Sequence, residues 1–367
     1  MGAGVHGAAV GWELARRGRD VLVIEAQGVA SGASGGPGER GVRANGRDLR
    51  ELPLAQRASE LWPGMGDAIG GPTGYRRTGH LHLIERPDGL DAAVATVVRQ
   101  RDAGIPTELL SADELRSIEP GVASSVIAAV HCPFDGVADH TATTRSLMAA
   151  ARRHGARLLE GTTVSSVRVE GDRAVEVGTG EHGPIPVRRS LLLLCNTGVA
   201  DLVAAAGVAL PVFPVLPQVL LTAPVEPVPV RHLVGHASRP LAIKTLPGGE
   251  VMITGGRLGR RQPGTGRPVV DPGEVEANRA DAVATFPALG DVPVVASTAD
   301  RAEAASIDLV PVIDLVPGTT NALFATGWSG HGWAIAPAVA ELLATWVVDG
   351  SPPPLLAPFG VRRFAAG

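Results

Sequence analysis

Short apolar runs of strand length alternate with longer helical stretches along this chain, and the order of the two carries the first inference. Residues 8–17 are apolar and poor in breakers, as a helix requires, and Gly18 closes them. Residues 20–25 are an apolar run ending in Glu25, the pattern of a buried strand with an acid at its tip. Further strands are expected at 81–84, 158–160, 164–169, 174–177, 190–195, 219–222, 241–246, 251–254 and 322–325. Helices are expected at 89–103, 112–118, 141–153, 274–286 and 336–348, and no segment repeats. Such alternation implies an α/β fold (α+β overall).

With 367 residues the chain is long enough for two domains or one two-lobed unit. Its 45% hydrophobic residues support a large core, and its 47 Gly and 30 Pro are spread too evenly to mark a linker. A formal charge of −4, with no basic run, argues against a nucleic-acid groove. Cys132 and Cys195 stand far apart and outside any metal-type spacing, so no disulfide framework and no metal site is expected, and a reducing cytoplasm fits. No leader is visible after Met1. The most apolar region, residues 202–221, is interrupted by Pro211, Pro214 and Pro217, so no membrane span is expected there.

Chemistry enters at the first residues. Gly2, Gly4 and Gly7 give G-x-G-x-x-G at a strand-to-helix turn. The first glycine permits the turn, the second admits a diphosphate to the backbone, and the third packs helix against strand. The helix start offers free N–H groups and partial positive charge, and Glu25 is placed to accept from ribose hydroxyls. The bland alternative is a tight turn and a surface glutamate. Only Met1 precedes Gly2, where such a unit has a central strand of about five residues. Either the start site is assigned too late, which is favoured, or the fold tolerates the gap.

Residues 34–62, with Glu39-Arg40-Gly41-Val42-Arg43, Pro53-Leu54-Ala55-Gln56-Arg57 and Glu60-Leu61-Trp62, resemble the FAD-dependent amine and amino-acid oxidoreductases of the D-amino acid oxidase superfamily. The similarity is greatest to the monomeric sarcosine oxidase branch. Gly327-Trp328-Ser329-Gly330-His331-Gly332-Trp333 is similar to that family's second flavin motif, and Asp135-Gly136 and Gln218 also stand where the family has such residues. The resemblance implies a Rossmann-type FAD-binding domain (residues 1–60, 135–210 and 300–367) with an inserted antiparallel-sheet substrate domain (61–134 and 211–299). It implies FAD, held through Gly2, Gly4, Gly7, Glu25, Ser34, Val164, Gly198, Gly327, Gly330, His331 and Gly332, and expected to be non-covalent because the cysteine that carries it in the sarcosine branch is missing. Oxidation of an amino acid or N-alkyl amino acid to an imine follows, by hydride transfer to flavin N5. The alternatives are D-amino acid or glycine oxidation, or a catalytically weak FAD-binding subunit of a larger dehydrogenase.

By the same resemblance Arg43 clamps the substrate carboxylate, Arg40 lies near the isoalloxazine, and N–H groups of 330–332 reach the flavin pyrimidine oxygen. His331 and Arg257 complete the candidate catalytic set. The partners implied are a small amine or amino acid, oxygen or another electron acceptor, and either a second copy of the chain or other dehydrogenase subunits. The pattern departs in three places. Ala334 and Ile253 stand where the sarcosine branch has lysines, and residues 302–308 hold no cysteine for covalent FAD. The missing cation tilts the reading towards a dehydrogenase. Lys244 and Arg257 flank the strand of Ile253; either could replace the lost cation, but a surface position is expected for both.

Overall fold

In a computed structural model, residues 1–36, 38–180, 182–204 and 207–364 are described. Nine helices are found among them: α1 (Val5–Arg16), α2 (Leu52–Leu61), α3 (Met65–Ile69), α4 (Leu90–Asp102), α5 (Ala112–Ile118), α6 (His140–Arg153), α7 (Gly198–Ala204), α8 (Pro272–Thr285) and α9 (Gly332–Asp349). Side-chain caps start several of them, Ser111 with Glu114 on α5, Asp139 on α6 and Asp271 on α8. The start of α1 has no side-chain cap, which leaves its first N–H groups for something else.

The strand Leu22–Ile24 pairs in parallel with Arg157–Leu159, and Leu191–Leu193 in parallel with Ala322–Thr326. Met1 and Gly2 bridge the two groups. The Met1 ammonium donates to the Leu192 carbonyl at 2.7 Å, Leu194 N–H to Met1 O at 3.0 Å, and Gly2 N–H to Ile24 O at 2.8 Å. The place where no strand is visible in the sequence is thus spanned by two residues. The expected 190–195 strand stops at Leu193.

Alternation along the strands separates two cores. Val23, Leu323 and Ala325 pack with α1, α6 and α9, whereas Ile24, Ala322 and Phe324 pack with α7 and the sheet of Val164–Glu170, Arg173–Thr179 and Pro184–Pro186. One face therefore carries helices and the other mainly a second sheet, not helices on both. Trp62, Met65 and Ile69 join the helical core, as does α9. By length and composition α9 could cross a membrane, but more than half of it is buried inside the protein.

The largest sheet has eight strands, in the order Val294–Thr298, Val219–Pro224, Glu250–Thr254, Ala242–Thr245, Leu233–His236, His80–Ile84, Ala128–Cys132, Glu108–Ser111. It is antiparallel except between Leu233–His236 and His80–Ile84. Leu81, Leu83, Val234, Ile243, Val251 and Ile253 face a core shared with Leu115, Ala282 and Phe286. His80, His82, Gly235, Ala242, Lys244, Met252 and Thr254 face the opposite side and line a cavity.

Candidate active site

The three motif glycines do three different things. Gly2 has φ +90°, and a Cβ there would stand 2.7 Å from the Leu194 carbonyl oxygen. A Cβ on Gly7 would overlap the Gly2 carbonyl oxygen, so this glycine sets how closely α1 meets the turn. A Cβ on Gly4 meets nothing within 4 Å; that side faces open space at the uncapped start of α1. Glu25 accepts from Ala3 N–H at 2.6 Å through one oxygen and from Gln27 N–H at 2.9 Å through the other. It is thereby fixed at the strand tip with lone pairs left for hydroxyl donors.

Gly2, Gly4 and Glu25 open onto one end of a cavity of about 1430 Å³. Ser34, Val164, Gly198, Gly330, His331, Gly332, Arg40, Arg43 and Arg257 line the same cavity. Gly7 and Gly327 lie behind the wall. Gly327 adopts φ +70° with Ser306 3.1 Å from where its Cβ would be, so it shapes the turn.

The Gly-rich turn differs from expectation in its donors. Gly330 N–H donates to the half-buried Glu303 carboxylate at 2.5 Å, and His331 N–H to Trp328 O at 2.7 Å. Ser329 (φ +51°) and Gly330 (φ +82°) turn these groups inward. The free donors therefore begin at Gly332, the first residue of α9. Gly332 is held against Trp328, whose ring stacks on His6 at 3.6 Å and 4°. Glu303 also accepts from Ser34 Oγ at 2.9 Å, so one carboxylate ties the 34–40 loop to the turn; burial raises its pKa. His331 pairs through Nδ1 with the fully buried Glu51 at 3.0 Å, yet burial and the nearby Arg47 charge hold it down to about 4. It is neutral at pH 7.

The arginines divide. Arg40 wraps its own loop, donating to the carbonyls of Ser34 at 3.0 Å and of Gly36, and burial lowers its pKa to about 10. Arg257 is neutralised in place by Asp281 at 2.6 Å and Glu274 at 2.8 Å, so its charge anchors α8. Arg43 donates only to the Asn45 carbonyl, at 2.6 Å, and no carboxylate lies within 4 Å of it among the described residues. Arg47, which the sequence did not single out, donates from Nε to Arg43 O at 3.1 Å and leaves Nη1 buried without a partner. Burial, and then the neighbouring Arg43 charge, lower it to about 9. Asp135 holds this loop by accepting from Ala44 N–H at 2.7 Å and Asn45 N–H at 3.0 Å.

Lys244 is not at the surface. It is 8% exposed on the cavity face of the sheet, its ammonium 3.2 Å from Met252 Sδ, and burial lowers it to about 7. Ile253, aligned with the lost lysine, points into the opposite core, and its neighbour Met252 faces the cavity instead. A one-residue shift in a strand reverses the face, which accounts for the error.

A model of the DAO family, described as FAD dependent oxidoreductase, matches residues 1–346. The chain belongs to this family. Across its whole length the oxidoreductase is 25% identical to 4-methylaminobutanoate oxidase (formaldehyde-forming) of Paenarthrobacter nicotinovorans, spanning 45% of that protein. It is also 25% identical to sarcosine oxidase subunit beta of Rhodobacter capsulatus, spanning 88% of it. The L-proline dehydrogenase structure from P. horikoshii superimposes with a TM-score of 0.90 at 26% identity, over 99% of this chain and 96% of that one.

The oxidoreductase fits FAD on its own geometry. The glycine cradle and Glu25 suit a diphosphate and ribose at one end. The cavity exceeds the roughly 300–1,000 Å³ of ordinary ligand pockets. Buried polar atoms on its wall, among them His6 Nδ1, Arg47 Nη1, Gln218 Nε2 and Trp333 Nε1, have no hydrogen-bond partner among the described residues.

Six histidines line the cavity, His6, His80, His82, His140, His236 and His331, and burial lowers every one of them. His6 falls to about 3, and His82 and His331 to about 4. The folded state thus disfavours their protonation, so stability is complete above about pH 6.5 and is lost as pH falls towards these values. At about pH 6 each of these three costs on the order of 1 kcal/mol. The melting temperature of the oxidoreductase is expected to fall between about pH 8 and about pH 6; a rise would contradict the burial of these rings.

Proposed function

We propose that this oxidoreductase oxidises the C–N bond of an amino acid or N-alkyl amino acid to an imine, with the substrate carboxylate clamped by Arg43. The observation that carries this reading is the state of Arg43, a cavity-wall guanidinium with most of its donors unused and no carboxylate within 4 Å among the described residues. A carboxylate accepts two parallel bonds from such a group. FAD, when bound, would supply the acceptor for the hydride that leaves the substrate α-C–H bond with its electron pair.

The rest belongs to the chain. Arg43, Arg47 and Lys244 on the wall repel an ammonium, which lowers the substrate amine pKa and favours the neutral form that carries the reactive lone pair. The nitrogen lone pair forms the C=N bond as the hydride leaves, loss of the N–H proton to solvent gives the neutral imine, and water then hydrolyses the imine to a carbonyl compound and an amine. Asp135 and Glu51 set the positions of the Arg43 loop and His331. Neither cysteine is poised to bond the flavin, since burial raises Cys132 to about 12 and also raises Cys195. Lys244 in the wall also removes the argument against oxygen that rested on a missing cation.

The test is product analysis. Holoprotein turned over with N-methyl amino acids and an electron acceptor is expected to release a carbonyl product that a hydrazine reagent traps. Full recovery of every amine, with oxygen and with artificial acceptors alike, overturns the reading. The nearly full-length match to a sarcosine oxidase beta subunit supports a second reading, an FAD-bearing subunit whose activity needs other chains. Activity that appears only on adding those chains identifies it.

A further inference from the structure

The carboxylates on the cavity wall among the described residues are Glu25, Asp201, Asp300 and Glu303. None belongs to the eight-stranded sheet. Glu25 is held by the glycine turn, Asp201 lies in α7, Asp300 stands beside Arg301, and Glu303 is engaged by Ser34 and Gly330. The sheet side carries cations and neutral rings without an acid. Arg43 and Arg47 stand on the 43–47 loop, and Lys244 stands apart on the strand Ala242–Thr245. Lys244 has a thioether for its only hydrogen-bond partner and no carboxylate within 4 Å among the described residues. A sulfur acceptor is weak, so this buried ammonium is undersatisfied.

A second cavity of about 210 Å³ shares Leu233 and Lys244 with the first, and is lined by Arg76 and Arg231 without an Asp or Glu among the described residues. Lys244 is therefore the point where the acid-free sheet side of the first cavity meets this second space. One carboxylate on Arg43 leaves Lys244 with only the longer-range pull of Glu39, whose carboxylate is already paired with Arg76. A cation buried without a counter-charge is costly, and an incoming anion removes the cost.

Building on the Arg43 clamp proposed above, we propose that the substrate carries a second acidic group: a dicarboxylic amino acid, or an amino acid with an N-carboxyalkyl arm, whose second carboxylate pairs with Lys244. Arg43 and Arg47 then hold one end and the sheet holds the other, with the reacting C–N bond between them. A monocarboxylic amine fills only the first seat and leaves Lys244 exposed to a dry cavity.

Unreactive ligands test this without turnover. Holoprotein is titrated with succinate, glutarate and adipate, and with butyrate, pentanoate and hexanoate, following the perturbation of flavin absorbance. At least one diacid is expected to bind about tenfold or more tightly than the monoacid of equal length. Lys244→Met is expected to collapse that ratio to within about threefold, and Lys244→Arg to retain it. Wild-type ratios within about threefold for every pair overturn the proposal on their own, even if Lys244→Met fails to fold. A preference that survives Lys244→Met overturns it too. The Arg43 reading fails separately: a diacid preference lost in Lys244→Met, with no amine oxidised, keeps the second seat and removes the oxidase chemistry. Oxidation of amines with no diacid preference does the reverse.

Discussion

Arg43→Ala is expected to weaken binding of carboxylate substrates about 30- to about 1000-fold, while the matching carboxamides lose little. A charge-assisted pair of bonds in a dry site contributes about 2–4 kcal/mol, and about 1.4 kcal/mol is tenfold. The magnitude should sit towards the upper end because the two carboxylates that act on Arg43 from a distance, Asp135 and Glu51, are occupied by other donors. Asp135 is engaged by Ala44 and Asn45 N–H groups, and Glu51 by His331. Arg47 is the nearest substitute, but its Nε is tied to the Arg43 carbonyl, so it cannot swing freely into the vacated place. Arg43→Lys keeps the charge and loses the fork, and should fall between the two. Dissociation constants for each acid and amide pair, taken from flavin absorbance, are the measurement. Equal losses for acids and amides would mean that the change acts through packing alone.

Gly7→Ala is expected to cost the fold about 3 kcal/mol or more and to leave the purified protein without flavin, whereas Gly4→Ala leaves the apoprotein melting temperature in place and weakens FAD binding. The contrast follows from what each new methyl meets. At Gly7 it overlaps a backbone oxygen of Gly2, and Gly2 cannot retreat because its N–H is bonded to Ile24 and its own Cα faces the Leu194 carbonyl. At Gly4 it meets no protein atom and fills only the space at the helix start that a diphosphate would occupy. Melting of apoprotein and FAD titration of each variant separate the two effects. A Gly4→Ala protein that binds FAD as tightly as the wild type would move the diphosphate away from this turn.

The parts of the site legible in the sequence are those written locally. Gly2, Gly4, Gly7 and Glu25 lie within one turn, helix and strand, so their spacing alone implies their geometry. The Arg40 to Arg43 segment was recognisable as a motif, but its strand, Glu39–Val42 against Gly136–Asp139, joins residues about a hundred apart and was not expected. Arg47 was invisible for a related reason: a lone arginine after a loop gives no sign that Asp135 and Asn45 will turn it inward. Glu303 and Glu51 become site residues only when distant segments meet them, at Ser34 and Gly330 in one case and at His331 in the other.

The cavity face of the sheet did leave a signal. His80, His82, Lys244, Met252 and Thr254 occupy alternate positions against Leu81, Leu83, Ile243, Val251 and Ile253, a polar-in, apolar-out rhythm readable at period two. Placing Ile253 rather than Met252 on the cavity face missed that rhythm by one residue and so missed Lys244 beside it.

The most direct test of the central claim is anaerobic mixing of the holoprotein with N-methyl, D- and L-amino acids, dicarboxylic ones included, followed through the flavin bands. Bleaching of the oxidised spectrum by at least one of these amines, and much weaker bleaching in Arg43→Ala at the same concentration, is the predicted result. An oxidised spectrum that persists with every amine, in a preparation fully loaded with FAD, would contradict the assignment of this site to amine oxidation.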